Sequence, residues 1–145
     1  MSWFHNKRTG MENAVDIVVP VGSKVYAAAP GKVTDASEDK DGYKGIDILH
    51  DDDTYTNYGH LSVIEVREGQ DIRKGQEIGL SGDTGNLAGL PPHLHFEVFV
   101  SDGDSSDSVP FEWEEGLSVE KRKVEMFVPK SVVRQYRLEE KRATG

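Results

Sequence analysis

Between Val15 and Val100 a turn signal interrupts the chain about every ten residues: Pro20-Val21-Gly22, Pro30-Gly31, Asp41-Gly42, Asp51-Asp52-Asp53, Glu68-Gly69, Lys74-Gly75, Ser81-Gly82 and Thr84-Gly85. Gly opens backbone conformations that other residues avoid and Pro fixes φ, so such clusters end regular structure. The runs between them are too short for helices and read as strands: Ala14 to Val19, Lys24 to Ala28, Gly31 to Ser37, Gly45 to His50, Thr54 to His60, Val63 to Val66, Glu77 to Leu80 and His93 to Val100. This pattern predicts a mainly β chain built as an antiparallel sandwich or barrel hybrid. A polar loop over 102–108 precedes one further edge strand, Val109 to Trp113.

A length of 145 residues suits one hydrophobic core. We expect a domain over 1–116 and a C-terminal extension over 117–145. In the extension Ser118 to Val128 suits a strand, whereas Lys130 to Arg142 mixes helix formers with Val132, Val133, Tyr136 and Leu138 without a clean period.

Charge and composition narrow the function classes. With 26 acidic against 17 basic residues the net charge is −9, which repels phosphate backbones and anionic lipid faces, so no nucleic-acid partner is expected. There is no cysteine, so any bound metal must be held by His and carboxylate. No apolar run approaches the roughly 20 residues of a membrane-spanning helix. The stretch Met1 to Arg8 also lacks the apolar centre of a secretory leader, so the expectation is a chain without one as given.

The sharpest local feature is His93-Leu94-His95. On a strand, side chains alternate, so both imidazoles face one way while Leu94, Phe96 and Val98 face the core. Short His pairs also occur on exposed faces, and context decides between the two. Asp16 supplies some: it interrupts Ala14-Val15-Asp16-Ile17-Val18-Val19, where a buried carboxylate needs a partner, a hydrogen bond or a metal, and a wet strand face is the plain alternative. His60 continues the alternation Thr54, Thr56, Tyr58 and ends its run at Gly59-His60-Leu61. One oxygen donor and three imidazoles at strand ends suit zinc, which in catalytic sites keeps three protein ligands and one position for water.

In order, these segments resemble the lysostaphin-type (LytM-like) zinc metallopeptidases, which hydrolyse peptide bonds of bacterial peptidoglycan. The resemblance runs through Ala14 to Gly22, Val25 to Val33, Tyr58 to Leu61, Val66 to Gly69, Ile72 to Gly79, Ser81 to Asn86 and Pro92 to Val98, about 95 residues in all. It implies a mostly antiparallel core of the duplicated hybrid motif kind, with a groove over one sheet. It further implies Asp16 and His95 as zinc ligands, with His60 and His93 beside the activated water as general base and transition-state stabiliser. Peptidoglycan stems or cross-bridges would be the substrate, the location extracytoplasmic and the chain a monomer.

One departure stands out. The family's first ligand is usually a His four residues before the Asp, and here that position is Glu12. An insertion would move the ligand upstream to His5, which is the residue nominated. The alternatives are Glu12 as an oxygen ligand, or a degenerate domain that binds wall or activates a partner hydrolase. The Tyr that often assists the oxyanion has no clear counterpart. His50, beside Asp51-Asp52-Asp53, reads as a solvated turn histidine without a role, and the acidic turn, which lacks the Gly and distal Glu of a calcium loop, reads as solvated too. Trp113, Tyr55 and Tyr43 read as packing groups. Val66 to Gly79 also resembles part of a biotinyl or lipoyl carrier, but the acceptor hairpin with its modifiable Lys is missing.

Overall fold

The alternation that defines each strand also separates a core face from a groove face. The computed structural model describes residues 14–109 and, as backbone, the strand segments 3–6, 112–113 and 129–130. The strands are β1 (Trp3–Asn6), β2 (Ala14–Val18), β3 (Lys24–Tyr26), β4 (Gly31–Glu38), β5 (Lys44–Leu49), β6 (Tyr55–Gly59) and β7 (Leu61–Ile64). They continue as β8 (Asp71–Ile72), β9 (Glu77–Ser81), β10 (His93–Ser101), β11 (Ser106–Ser108), β12 (Glu112–Trp113) and β13 (Pro129–Lys130). No helix occurs among the described residues, and so none is long and apolar enough to cross a membrane.

An eight-stranded antiparallel sheet runs β1-β2-β10-β6-β5-β4-β8, with β11 paired to the far end of β10. A smaller sheet, β3-β9-β7, packs against it, and β12 pairs with β13. From β10, Leu94, Phe96 and Val98 point inward and meet Ile17, Tyr58, Ile46 and Ile48 of the same sheet. Val25, Leu61 and Ile78 close the core from the smaller sheet. Each such side chain withdrawn from water contributes about 1.5–3 kcal/mol. The opposite face of β10 carries His93, His95 and Glu97.

All eight strands expected between residues 14 and 100 are present, with ends displaced by at most two residues. Four others were not expected. Ser106–Ser108, within the stretch read as a loop, pairs with Phe99–Ser101 through its backbone, and an edge strand needs no apolar side chains to do so. The segments β1, β8 and β13 are likewise short and lack a readable alternation. Of the strand expected over Val109 to Trp113, Glu112–Trp113 is a strand and Val109 is not, while residues 110–111 lie outside the described residues. Residues 117–145 lie outside the described residues except Pro129–Lys130, which pairs with β12. Ser118 to Val128 therefore lies outside them too.

Two expectations about the acidic turn need correction. His50 is not solvated but buried, at 5% exposure, because the β5–β6 turn folds it under the Pro30 carbonyl. Asp52 is buried as well: its Oδ1 accepts from the Thr54 backbone N–H at 3.2 Å and from the Thr54 hydroxyl at 2.8 Å.

Candidate metal centre

Strand register assembles the site. In the β2–β10 pair His95 lies directly opposite Asp16, and in the β10–β6 pair it lies opposite Gly59, so β10 is flanked by a carboxylate on one side and a bare backbone on the other. Asp16 is 6% exposed, and its Oδ1 lies 3.2 Å from His95 Nδ1 and 3.6 Å from His93 Nε2. Burial alone would raise the Asp16 pKa. The His95 bond and the charge of three neighbouring imidazoles outweigh it and hold the carboxyl below its ordinary value. His95 shows the converse: burial opposes its charge, but Asp16 and Glu97 prevail and carry its pKa up to about 9.

His60 reaches this cluster by leaving the alternation. A regular strand would send it to the core beside Tyr58, but its φ of +62° turns the chain out of β6. A non-glycine residue in that region is strained and persists only where its surroundings enforce it. Here they do: His60 Nδ1 donates to the Thr84 carbonyl at 2.6 Å, and the Thr84 hydroxyl in turn donates to the Leu61 carbonyl at 2.6 Å. The His60 ring stands edge-on to His93 at 4.8 Å between centroids and to Tyr43 at 5.2 Å. Burial holds its pKa below the usual imidazole range, against the Thr84 bond that raises it. His93 is buried, and its Nδ1 donates to the Pro91 carbonyl at 2.8 Å. In both His60 and His93 the Nδ1 proton is committed to a carbonyl, which leaves Nε2 as the reactive nitrogen.

Asp16 and His95 form the donor pair that a divalent ion would use. Zinc bound at 2.0–2.1 Å in a tetrahedron separates its ligands by about 3.3 Å, and the Asp16–His95 separation of 3.2 Å is close to that value. Among the described residues no three His, Asp or Glu side chains complete a metal-holding set, so a third protein ligand would have to come from elsewhere in the chain. His5 is described as backbone only; β1 register sets Phe4 opposite Asp16 and His5 opposite Val15. Glu12 lies outside the described residues.

The sequence profile of Peptidase family M23 matches residues 10–108. The chain belongs to that family. This M23 chain is 35% identical over 124 residues to the peptidoglycan DD-endopeptidase ShyA of Vibrio cholerae serotype O1, covering 86% of this chain and 28% of ShyA. Lysostaphin of Staphylococcus simulans is 35% identical over 107 residues, which is 70% of this chain and 21% of lysostaphin. The crystal structure of a zinc containing peptidase from Vibrio cholerae superposes with a TM-score of 0.58 at 36% identity, over 73% of this chain and 32% of that one. The M23 chain thus spans less than a third of each of these proteins. The lysostaphin-type resemblance and the antiparallel β architecture both hold.

Two residues at the M23 site were given no role in the sequence. Tyr43, read as a packing group, backs His60, and its hydroxyl occupies the place that a Cβ on Gly59 would fill. Burial, with Asp47 nearby, pushes its pKa up to about 12, so it stays protonated. Glu97, one pleat beyond His95, lies 3.5 Å from His95 Nε2. Its spacing from His95 was visible, but a charged residue on the groove face of a strand reads as solvated.

Proposed function

We propose that this chain is a zinc endopeptidase that hydrolyses peptide bonds in peptidoglycan stems or cross-bridges outside the cytoplasm. Asp16 and His95 would hold the ion, with His5 as the third protein ligand; His60 and His93 would carry the proton transfers. The observation that carries this reading is the pinning of two imidazoles at Nδ1, so that both present Nε2 beside a buried carboxylate–histidine pair. The peptidoglycan endopeptidase relative and the zinc containing neighbour supply the substrate class and the metal.

Zinc held there supplies Lewis acidity, lowering the pKa of water to about 7 and polarising the scissile carbonyl. The remaining work belongs to the protein. His60, kept neutral by burial, accepts a proton at Nε2 while its Nδ1–H stays on Thr84. His93, held by Pro91, donates from a protonated Nε2 to the oxygen that becomes negative as the carbonyl turns tetrahedral. Gly59, opposite His95, leaves the room that the Tyr43 phenol takes behind His60.

The test is zinc stoichiometry of the reconstituted chain together with release of new amino groups from purified peptidoglycan. One zinc per chain and cleavage are expected; sub-stoichiometric zinc with no cleavage would sink the proposal and leave a wall-binding or hydrolase-activating role. The third ligand is assigned by comparing His5→Ala with Glu12→Ala: the former should abolish tight zinc binding and the latter preserve it.

A further inference from the structure

Glu97 is charged, is only 8% exposed, and has no part in the roles assigned above. It follows His95 by two residues on β10 and therefore shares its face. Its Oε1 is 3.5 Å from His95 Nε2, while Asp16 Oδ1 is 3.2 Å from Nδ1 of the same ring. His95 thus sits between two carboxylates, one at each nitrogen. No Lys or Arg pairs with Glu97 among the described residues, although a carboxylate this far from water needs a donor.

The three site histidines are held in opposite senses. His60 and His93 give their Nδ1 protons to backbone carbonyls and keep Nε2 available. His95 must do the reverse if Nδ1, the nitrogen beside Asp16, is to coordinate an ion. A neutral imidazole exchanges its single proton between the two nitrogens, and the form with the proton on Nδ1 would bond to Asp16 and close the donor pair. An acceptor at Nε2 suppresses that form, and Glu97 is the acceptor placed there.

We propose that Glu97 is a positioning residue that keeps the His95 proton on Nε2 and so presents Nδ1, beside the Asp16 carboxylate, as the metal-binding nitrogen. This rests on the zinc reading above. The carboxylate acts through the imidazole and touches neither metal nor substrate.

The experiment uses the whole chain as wild type, Glu97→Gln and Glu97→Ala. Zinc affinity is measured by competition with a chromophoric chelator, folding by thermal melts, and the His95 tautomer by long-range 1H–15N NMR of the zinc-loaded protein. Loss of such an acceptor weakens metal binding by about 10–100-fold, which is the effect expected for Glu97→Ala. Glu97→Gln, which keeps an oxygen acceptor at the same reach, should recover most of that loss. The wild-type spectrum should place the proton on Nε2; a proton on Nδ1 overturns the proposal whatever the variants do, as does a folded Glu97→Ala chain that binds zinc like wild type. Failure of the wild-type chain to bind zinc is a different result, which removes the zinc reading itself.

Discussion

His50 and the site histidines share a residue type and a buried setting, yet they are built to opposite ends. His50 Nδ1 lies 2.7 Å from the Pro30 carbonyl and its Nε2 lies 2.9 Å from the Thr56 hydroxyl. A carbonyl can only accept, so the proton sits on Nδ1, and Nε2 must accept from Thr56. The Thr56 oxygen then takes the phenol proton of Tyr58, 2.9 Å away, and the Tyr58 oxygen accepts the Ala28 N–H at 2.9 Å. Every polar atom in that chain is used. His60 and His93 each leave one nitrogen uncommitted to a backbone or hydroxyl group, facing the groove. The difference separates a histidine whose two nitrogens both fasten the sheet from histidines that keep one nitrogen for other work, and burial alone does not distinguish them.

The comparison breaks first on activity. His93→Ala and His60→Ala should each lower kcat by about 10²–10⁴-fold, the usual worth of a positioned acid or base, while zinc content stays near one. Retained turnover in either variant would put that histidine in the same class as His50.

Stability supplies the opposite arm. His50→Ala strands the Pro30 carbonyl and the Thr56 hydroxyl and leaves a void, at a cost of about 2–4 kcal/mol. That corresponds to a melting point lower by roughly 10 °C, read by calorimetry, with zinc stoichiometry unaffected. A smaller effect is expected from pH. Burial depresses the His50 pKa below its ordinary 6.5, against the pull of Pro30 and of Asp52 and Asp51. The unfolded chain therefore binds a proton that the folded chain resists, and the stability associated with neutral His50 is present above pH 6.5 and declines as pH falls below it. Comparing the fall in melting temperature from pH 7.5 to 5.5 in wild type and His50→Gln isolates this contribution; equal falls would remove it.

How far the sequence could be read follows the same division. Leu94, Phe96 and Val98 alternate within a single strand, and so do His93 and His95, so the core face and the histidine face of β10 were both legible in nine consecutive letters. Asp16 was legible as an anomaly in an apolar run, and the family resemblance named its partner. His50 was misread because three aspartates follow it, and local polarity says nothing of a carbonyl twenty positions upstream that folds over the ring. Tyr43 and Thr84 acquire meaning only through His60, which abandons the strand alternation at a positive φ that no periodicity reports.

Tyr43 gives the finest test of how tightly His60 is held. Its ring meets His60 at 85°, and its wall is glycine: a Cβ on Gly85 would press on the ring and one on Gly59 would collide with the hydroxyl. Tyr43→Phe keeps the ring and removes only the buried hydroxyl, so a loss of about 0.5–1.5 kcal/mol in stability is expected, with kcat changed only slightly. Tyr43→Ala removes the surface against which His60 rests, and a displacement of about 1 Å in a catalytic group can cost up to about 10²-fold in rate. A ratio near one between the two variants in kcat, at equal zinc loading, would mean that the Thr84 carbonyl alone fixes the imidazole. A large ratio would assign part of that work to the phenol ring, through its shape rather than its hydroxyl.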